Sequence, residues 1–249
     1  MRSLRILALC LLLAACGSST YSWGWYVVLP TTQQGTDNLR FLLSGLGWTV
    51  SVSLLAMLIS VLLGLLVALP GISERRWLRL LNRGYVEIVR AVPVLVMLLW
   101  VYYGLPVVLG ISLDAFAAAV LALALSDSAF EAEIFRGGIQ SVARGQHEAA
   151  EALGLSWTDK MRYVVLPQAL RRVLPPLGNQ FAYMLKMSAL ASVIGLTELT
   201  RRANELVVNV YRPLEIYSFL VLEYLVLILL VSWLVRRVER RLGSDESRA

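Results

Sequence analysis

Long uncharged runs alternate along the chain with shorter segments crowded with arginine. Trp48 to Leu69 carries no charged residue, and a helix of that length extends roughly 33 Å, enough to cross the hydrocarbon core of a bilayer. Pro70-Gly71 closes this run. A second run, Ala91 to Ile111, contains Pro93, Gly104 and Pro106, which predicts a kinked helix whose freed backbone groups are satisfied by packed neighbours. Leu113 to Phe130 is rich in alanine, a composition that favours close helix contact over lipid exposure, and it holds Asp127 near its end. Leu177 to Leu196 is less apolar and includes Lys186; Leu214 to Val235 includes Glu223 and stops at Arg236-Arg237-Val238-Glu239-Arg240-Arg241. The pattern predicts an all-α membrane protein with five spans.

The charges between the runs set an orientation. Segments 71–90, 131–172 and 236–249 hold sixteen Arg and Lys residues, whereas segments 17–47, 112 and 197–213 hold four. The richer side is cytoplasmic by the positive-inside rule, which puts the segment before the first span outside and the C-terminus inside. Only Arg201-Arg202 pulls the other way. Segment 131–172, with six basic and five acidic residues, is the one large charged stretch and is expected in the cytoplasm as a loop or small helical unit.

Composition then removes several function classes. Of 249 residues, 58% are hydrophobic and 16% charged, against about a quarter charged in soluble domains. The formal net charge of +6 follows from arginine retained on one side of the membrane, with no basic stripe interleaved with stacking aromatics, so no nucleic-acid partner is expected. Cys10 and Cys16 both lie near the N-terminus and His147 is the single histidine. A metal site, a disulfide framework and a Ser-His-Asp site are therefore not expected. The two halves show no matching hydropathy repeat of the kind common in secondary transporters.

The first residues form an address label. Arg2 and Arg5 precede a short apolar stretch that ends in Leu13-Ala14-Ala15-Cys16. Residues 1–16 resemble a signal or lipoprotein-type segment, with Cys16 the residue that would carry lipid after cleavage. An uncleaved short first span is the alternative. Residues 17–40, rich in Gly, Ser, Thr and Gln, are expected as an extracytoplasmic linker. The transmembrane domain is placed at 41–240 and a cytoplasmic tail at 241–249.

Segment 131–172 carries the most specific signal. Gln146 to Leu153 consists of good helix formers, and Gly154 suits the position just past a helix end. Ser156 offers an N-cap with Asp159 three residues on, imitating a capping box, and a second short helix is predicted to stop before Pro167. Leu153, Leu155 and Trp157 supply apolar anchors and Glu148 and Glu151 supply charge, a surface suited to docking into a groove of a soluble partner.

Glu148-Ala149-Ala150, three residues, Gly154, nine residues, Val164, one residue and Leu166-Pro167 resemble the EAA loop of ABC importer permeases, with Val164 where that family more often has Ile. Arg136-Gly137-Gly138-Ile139 upstream and Pro167-Gln168-Ala169-Leu170-Arg171-Arg172 downstream look like the polar amino acid uptake branch. Arg90-Ala91-Val92-Pro93 and Tyr103-Gly104-Leu105-Pro106 are similar to that branch's second span.

The resemblance implies a five-span permease core in the bacterial inner membrane, paired with itself or a paralogue. It also implies two ABC ATPase subunits inside, which bind ATP and Mg, and an extracytoplasmic solute-binding protein that delivers a polar amino acid. Glu148, Ala149, Ala150, Gly154, Leu166 and Pro167 would form the coupling element, and transport would proceed by alternating access. The chain itself would hold no cofactor: neither Lys160 nor Lys186 follows a Gly, as a Walker A loop requires. Lys186 and Ser188 stand where the family has Leu-Lys-x-Ser/Thr-Ser-Leu, although Met187 and Ala189 replace residues that are usually polar there. Two readings stay open for Lys186. It faces a substrate carboxylate in the pathway with Ser188, near Glu133, or it pairs structurally with Asp127 or Glu133. Asp127 is expected at a span end in polar surroundings, and Glu223 packed against another helix. Outside this family, the pattern also allows a stand-alone secondary transporter or channel, or a lipid-anchored assembly protein. Within it, an opine or a quaternary amine is the alternative cargo.

Overall fold

The computed structural model of the protein describes residues 21–73 and 75–241. The signal-like segment 1–16 with Cys16, residues 17–20 and the tail from 242 onward lie outside the described residues. All regular structure among the described residues is helical. The helices are α1 (Gln33–Leu43), α2 (Leu46–Gly71), α3 (Arg76–Ala91), α4 (Val94–Leu109), α5 (Ala115–Gln140), α6 (Arg144–Ala152), α7 (Trp157–Ile194), α8 (Leu199–Val210) and α9 (Pro213–Arg241).

Gln33–Gly71, Ala115–Gln140 and Pro213–Arg240 are each long and apolar enough to cross a membrane. α3 and α4 form a pair bent by 93°, and α7 and α8 a pair bent by 48°, which brings the total to as many as five crossings if each pair counts once.

Helix α5 is the hub, packed against α2, α3, α4 and α7. Its alanines explain why. Ala118, Ala119, Ala122 and Ala124 are wholly buried and meet Val52 and Ala56 of α2, Leu98 of α4 and Met184 of α7, since small side chains let backbones approach. Gly64 of α2 takes this furthest: a Cβ there would run into the Cβ of Glu131 and stand 3.0 Å from the Ala132 nitrogen and the Ser128 oxygen. Most leucines of α9, by contrast, point outward; Leu222, Leu225, Leu229 and Leu230 are all exposed, while Leu220 is buried.

One departure from the predicted elements and one feature of the expected kinked helix share a cause. The helix after Ser156 does not stop before Pro167 but continues into α7, and it does so through a widened π-turn over Lys160–Val165. A second π-turn, Trp100–Gly104, precedes Leu105-Pro106 in α4. Proline lacks an N–H and its ring crowds the carbonyl four residues earlier; one extra residue in the turn makes room and keeps the helix going. Helix α5 likewise runs on to Gln140 and α7 begins at Trp157, so the non-spanning connection around α6 is shorter than the charged stretch suggested.

The Gly/Ser/Thr/Gln composition before the first span predicts a linker, yet its described part is folded. Val27 and Val28 are buried against Leu42, Leu199 and Ile216, and Asn38 donates to the Val27 carbonyl at 2.9 Å. Thr32 caps α1 by accepting from the Gly35 N–H at 3.0 Å. Glu215 at the start of α9 accepts from the Tyr21 hydroxyl and from the Gly24 N–H, the latter at 2.6 Å. Two apolar residues and one buried carboxylate outweigh a loop-like composition.

Candidate functional site

The loop between α5 and α7 is built by short-range backbone chemistry. Helix α6 ends with Gly154 at φ +74°, a conformation that costs an L side chain but not glycine. The Gly154 N–H donates to the Glu151 carbonyl at 2.9 Å and the Leu155 N–H to the Ala150 carbonyl at 3.1 Å, the pair of bonds that defines a Schellman end. The chain then re-enters helix at Ser156, whose Oγ accepts from the Asp159 N–H at 3.2 Å and donates to the Asp159 carboxylate at 2.6 Å.

One face of α6 is fastened down. Ala150 is buried, and Lys160 Nζ lies 2.6 Å from Glu151. Its ammonium holds the Glu151 carboxyl below the ordinary glutamate range. Gln168 Nε2 reaches Gln146 at 3.2 Å and the Val164 carbonyl at 2.9 Å, and Arg172 donates to the Ser141 carbonyl. Beneath, Val142, Val165 and Ala169 form a small apolar cluster with Ile139 and Met161. The other face is open. Glu148 and Ala149 are exposed, and at the tip Leu153 and Trp157 are 80% and 69% exposed. Leu166 and Pro167, in the first turns of α7, are exposed as well. A capped turn between two helices that presents a leucine and a tryptophan to water has the form of an interaction surface.

The intramembrane residues separate into three places. Ser188 is wholly buried and donates to its own Leu185 carbonyl at 2.8 Å, so its hydroxyl is already engaged. Lys186 is exposed, with Nζ 5.8 Å from the Tyr183 ring centroid, within cation–π range. Pro176, Asn179, Tyr183 and Lys186 are all exposed, and their spacing of three, four and three puts them on one face of α7. Asn179 and Tyr183 were not among the residues picked out from the sequence, although that spacing was readable.

Neither structural partner suggested for Lys186 is used. Glu133 pairs with Arg136 at 2.6 Å and lines a different cavity, with Arg83 and Arg90. Asp127 is not a span end in polar surroundings; it is buried, accepts from the Gln180 amide, and receives a hydrogen bond from Ser60 at 3.4 Å. One turn further along the same face, Glu131 is fully buried with no hydrogen-bond partner among the described residues. The sequence placed Glu131 at the start of a water-exposed stretch; the close approach at Gly64 puts it inside the bundle. Glu223 is buried too, likewise without a partner among the described residues.

A bundle of apolar crossing helices with one capped, polar connection between α5 and α7 is the architecture of a membrane permease. Residues 60–244 match the family of binding-protein-dependent transport system inner membrane components, and the chain belongs to that family. It is the permease subunit of an ATP-driven importer, with ATP hydrolysis on a separate chain. It is similar to the glutamine transport system permease protein GlnP of Escherichia coli (strain K12), 42% identical over 159 residues that cover 64% of this chain and 73% of that protein. The arginine transport system permease protein ArtQ of Bacillus subtilis (strain 168) is 36% identical over 208 residues, 84% of this chain and 95% of that one. Among solved structures, the crystal structure of an amino acid ABC transporter with histidines has a chain that superposes with a TM-score of 0.80 at 40% identity, covering 89% of this chain and all of the other.

Proposed function

We propose that this permease imports a polar amino acid or a similar small zwitterion, with α6 as the coupling helix. The observation that carries the coupling role is the exposed Leu153–Trp157 turn between α6 and α7, held in place by the buried Ala150 and by the Lys160–Glu151 pair. Glu148, Ala149 and Gly154 enter a groove of an ATPase subunit that binds ATP and Mg, while Ala150, buried in this chain's own fold, holds the helix in place instead of meeting the partner. Leu166-Pro167, following the Lys160–Val165 turn within α7, passes that movement along α7. The subunit has five spans, with the segment before the first outside and the C-terminus inside. It works with a second permease subunit and an extracytoplasmic binding protein. The relatives named for glutamine and arginine transport support the amino acid assignment. Gentle purification of the tagged chain from its own host, followed by mass spectrometry, tests this reading. An ATPase and a binding protein with bound amino acid are expected; recovery of the chain alone, in a detergent that preserves a known importer, overturns it.

The translocation face is the stripe of Asn179, Tyr183 and Lys186. A lysine turned toward lipid in the middle of a span is costly, so this face meets the second permease subunit across a wet pathway, and Lys186 greets the substrate carboxylate. Ser188 shapes the turn below it. Lys186→Gln is expected to slow uptake roughly 10- to 100-fold, the worth of one charge-assisted hydrogen bond, while Lys186→Arg keeps most activity and both variants still bring down the ATPase. Uptake by Lys186→Gln at the parent rate would remove the lysine from the pathway.

A further inference from the structure

The charged helix α3 builds a cavity that the transport reading leaves unused. It has a volume of about 650 Å³ and is lined by Arg76, Arg79, Arg83 and Arg90 of α3 and by Arg136 of α5, against two carboxylates, Glu87 and Glu133. Arg76, Arg83 and Arg90 recur every seven residues and so share one face of the helix. Glu133 is already engaged by Arg136, and Arg76 and Arg83 make no ion pair among the described residues. Arg90 is held with its guanidinium 4.8 Å from the centroid of the Phe130 ring. Even with Arg79 left out of the count, four guanidinium groups around two carboxylates leave an excess of positive charge that calls for an anion.

A second, open hollow adjoins the first through the shared residues Arg76 and Leu80 and adds Arg75 and Trp77. Trp77 and Leu80 are more than half exposed. A cationic pocket that opens onto the exposed Trp77 and Leu80 side chains has two chemistries side by side, and an anionic phospholipid has the same two in the same order. Free phosphate or a soluble metabolite would fill the first and leave the hollow in water. Basic pockets between spans at the cytoplasmic surface suit anionic headgroups.

We infer that the mouth between α3 and α5 binds an anionic phospholipid of the cytoplasmic leaflet, the headgroup among Arg76, Arg83 and Arg90 and an acyl chain along Trp77 and Leu80. The placement in that leaflet rests on the orientation set by the arginine count, not on the identity of the cargo. The test uses the intact permease–ATPase complex in nanodiscs of phosphatidylcholine mixed with phosphatidylglycerol, with native mass spectrometry of the lipids retained after delipidation. The parent complex is expected to retain phosphatidylglycerol preferentially. At about 1 kcal/mol for each arginine near the surface, the double variant Arg76→Gln/Arg83→Gln loses that preference by about 30-fold. Removing two arginines outside the pocket, Arg236→Gln/Arg237→Gln, leaves it in place, and Leu80→Asp weakens it through the hollow. Equal retention of both lipids by the parent complex overturns the inference. So does displacement of the bound lipid by inorganic phosphate with no effect of Leu80→Asp, which would mark a free-anion site instead. A third overturning result is protection of Arg76 and Arg83 from guanidinium-modifying reagents by the ATPase alone, in discs without anionic lipid, which would make this a protein contact.

Discussion

Truncating Leu153 and Trp157 to alanine will leave the permease folded in the membrane and lower its affinity for the ATPase about 100-fold or more. The two side chains are 80% and 69% exposed, so they contribute almost nothing to the fold. At the centre of an interface a tryptophan is commonly worth about 2 kcal/mol, or roughly 30-fold in affinity, and burying the leucine beside it adds about 1 kcal/mol more. ATP-dependent uptake in vesicles will fall in parallel with co-purification of the ATPase. Gly154→Pro will do the same by another route. Proline holds φ near −65° where the chain needs +74°, and it removes the N–H that meets the Glu151 carbonyl at 2.9 Å. The Leu153–Trp157 tip is then misdirected, although both anchors remain. Unchanged uptake and ATPase recovery in either variant would end the case for α6 as the coupling helix.

Gly64→Val strikes the fold itself. At that position α2 and α5 touch backbone to backbone, and an added side chain meets Glu131, the Ala132 nitrogen and the Ser128 oxygen. The helices must separate, and separation breaks the Ser60–Asp127 contact and uncovers Glu131. Overpacking of this kind typically costs 1–3 kcal/mol, and loosening a buried carboxylate adds to it. A fall of about 10 °C in the melting temperature and a roughly tenfold lower yield in the membrane are expected. Gly47→Ala in the same helix is the control: no atom lies within 4 Å of its Cβ position, so it keeps or slightly raises stability. A parent-like melting temperature for Gly64→Val would refute the close approach of α2 and α5.

Much of this protein is written in short windows. The crossing segments follow from uncharged runs, because a bilayer selects for them irrespective of what packs where. The docking loop was readable to individual residues: Gly154 as the left-handed end of a helix, Ser156 as the next cap, Asp159 as its partner. Each depends on atoms fewer than six residues apart. Local reading failed at Pro167, because a proline is ordinarily taken as a stop and the widened turn that accommodates it has no composition of its own. It failed again at residues 21–40, where the deciding residues were Val27 and Val28 rather than the many polar ones around them.

The hydropathy pattern and the spacing of one loop thus settled that the chain lives in a membrane and which family it belongs to. Folding in three dimensions settled which ionisable groups face what. Asp127 and Glu131 are interior because Gly64, more than sixty residues earlier, lets α2 approach. Lys186 and Ser188, two residues apart, part company because successive positions on a helix point about 100° apart and only one side of α7 is covered. Glu133 belongs with the arginines of α3 because α3 folds back beside α5. Burial of a charge is a property of everything that surrounds it, and those neighbours come from distant parts of the chain.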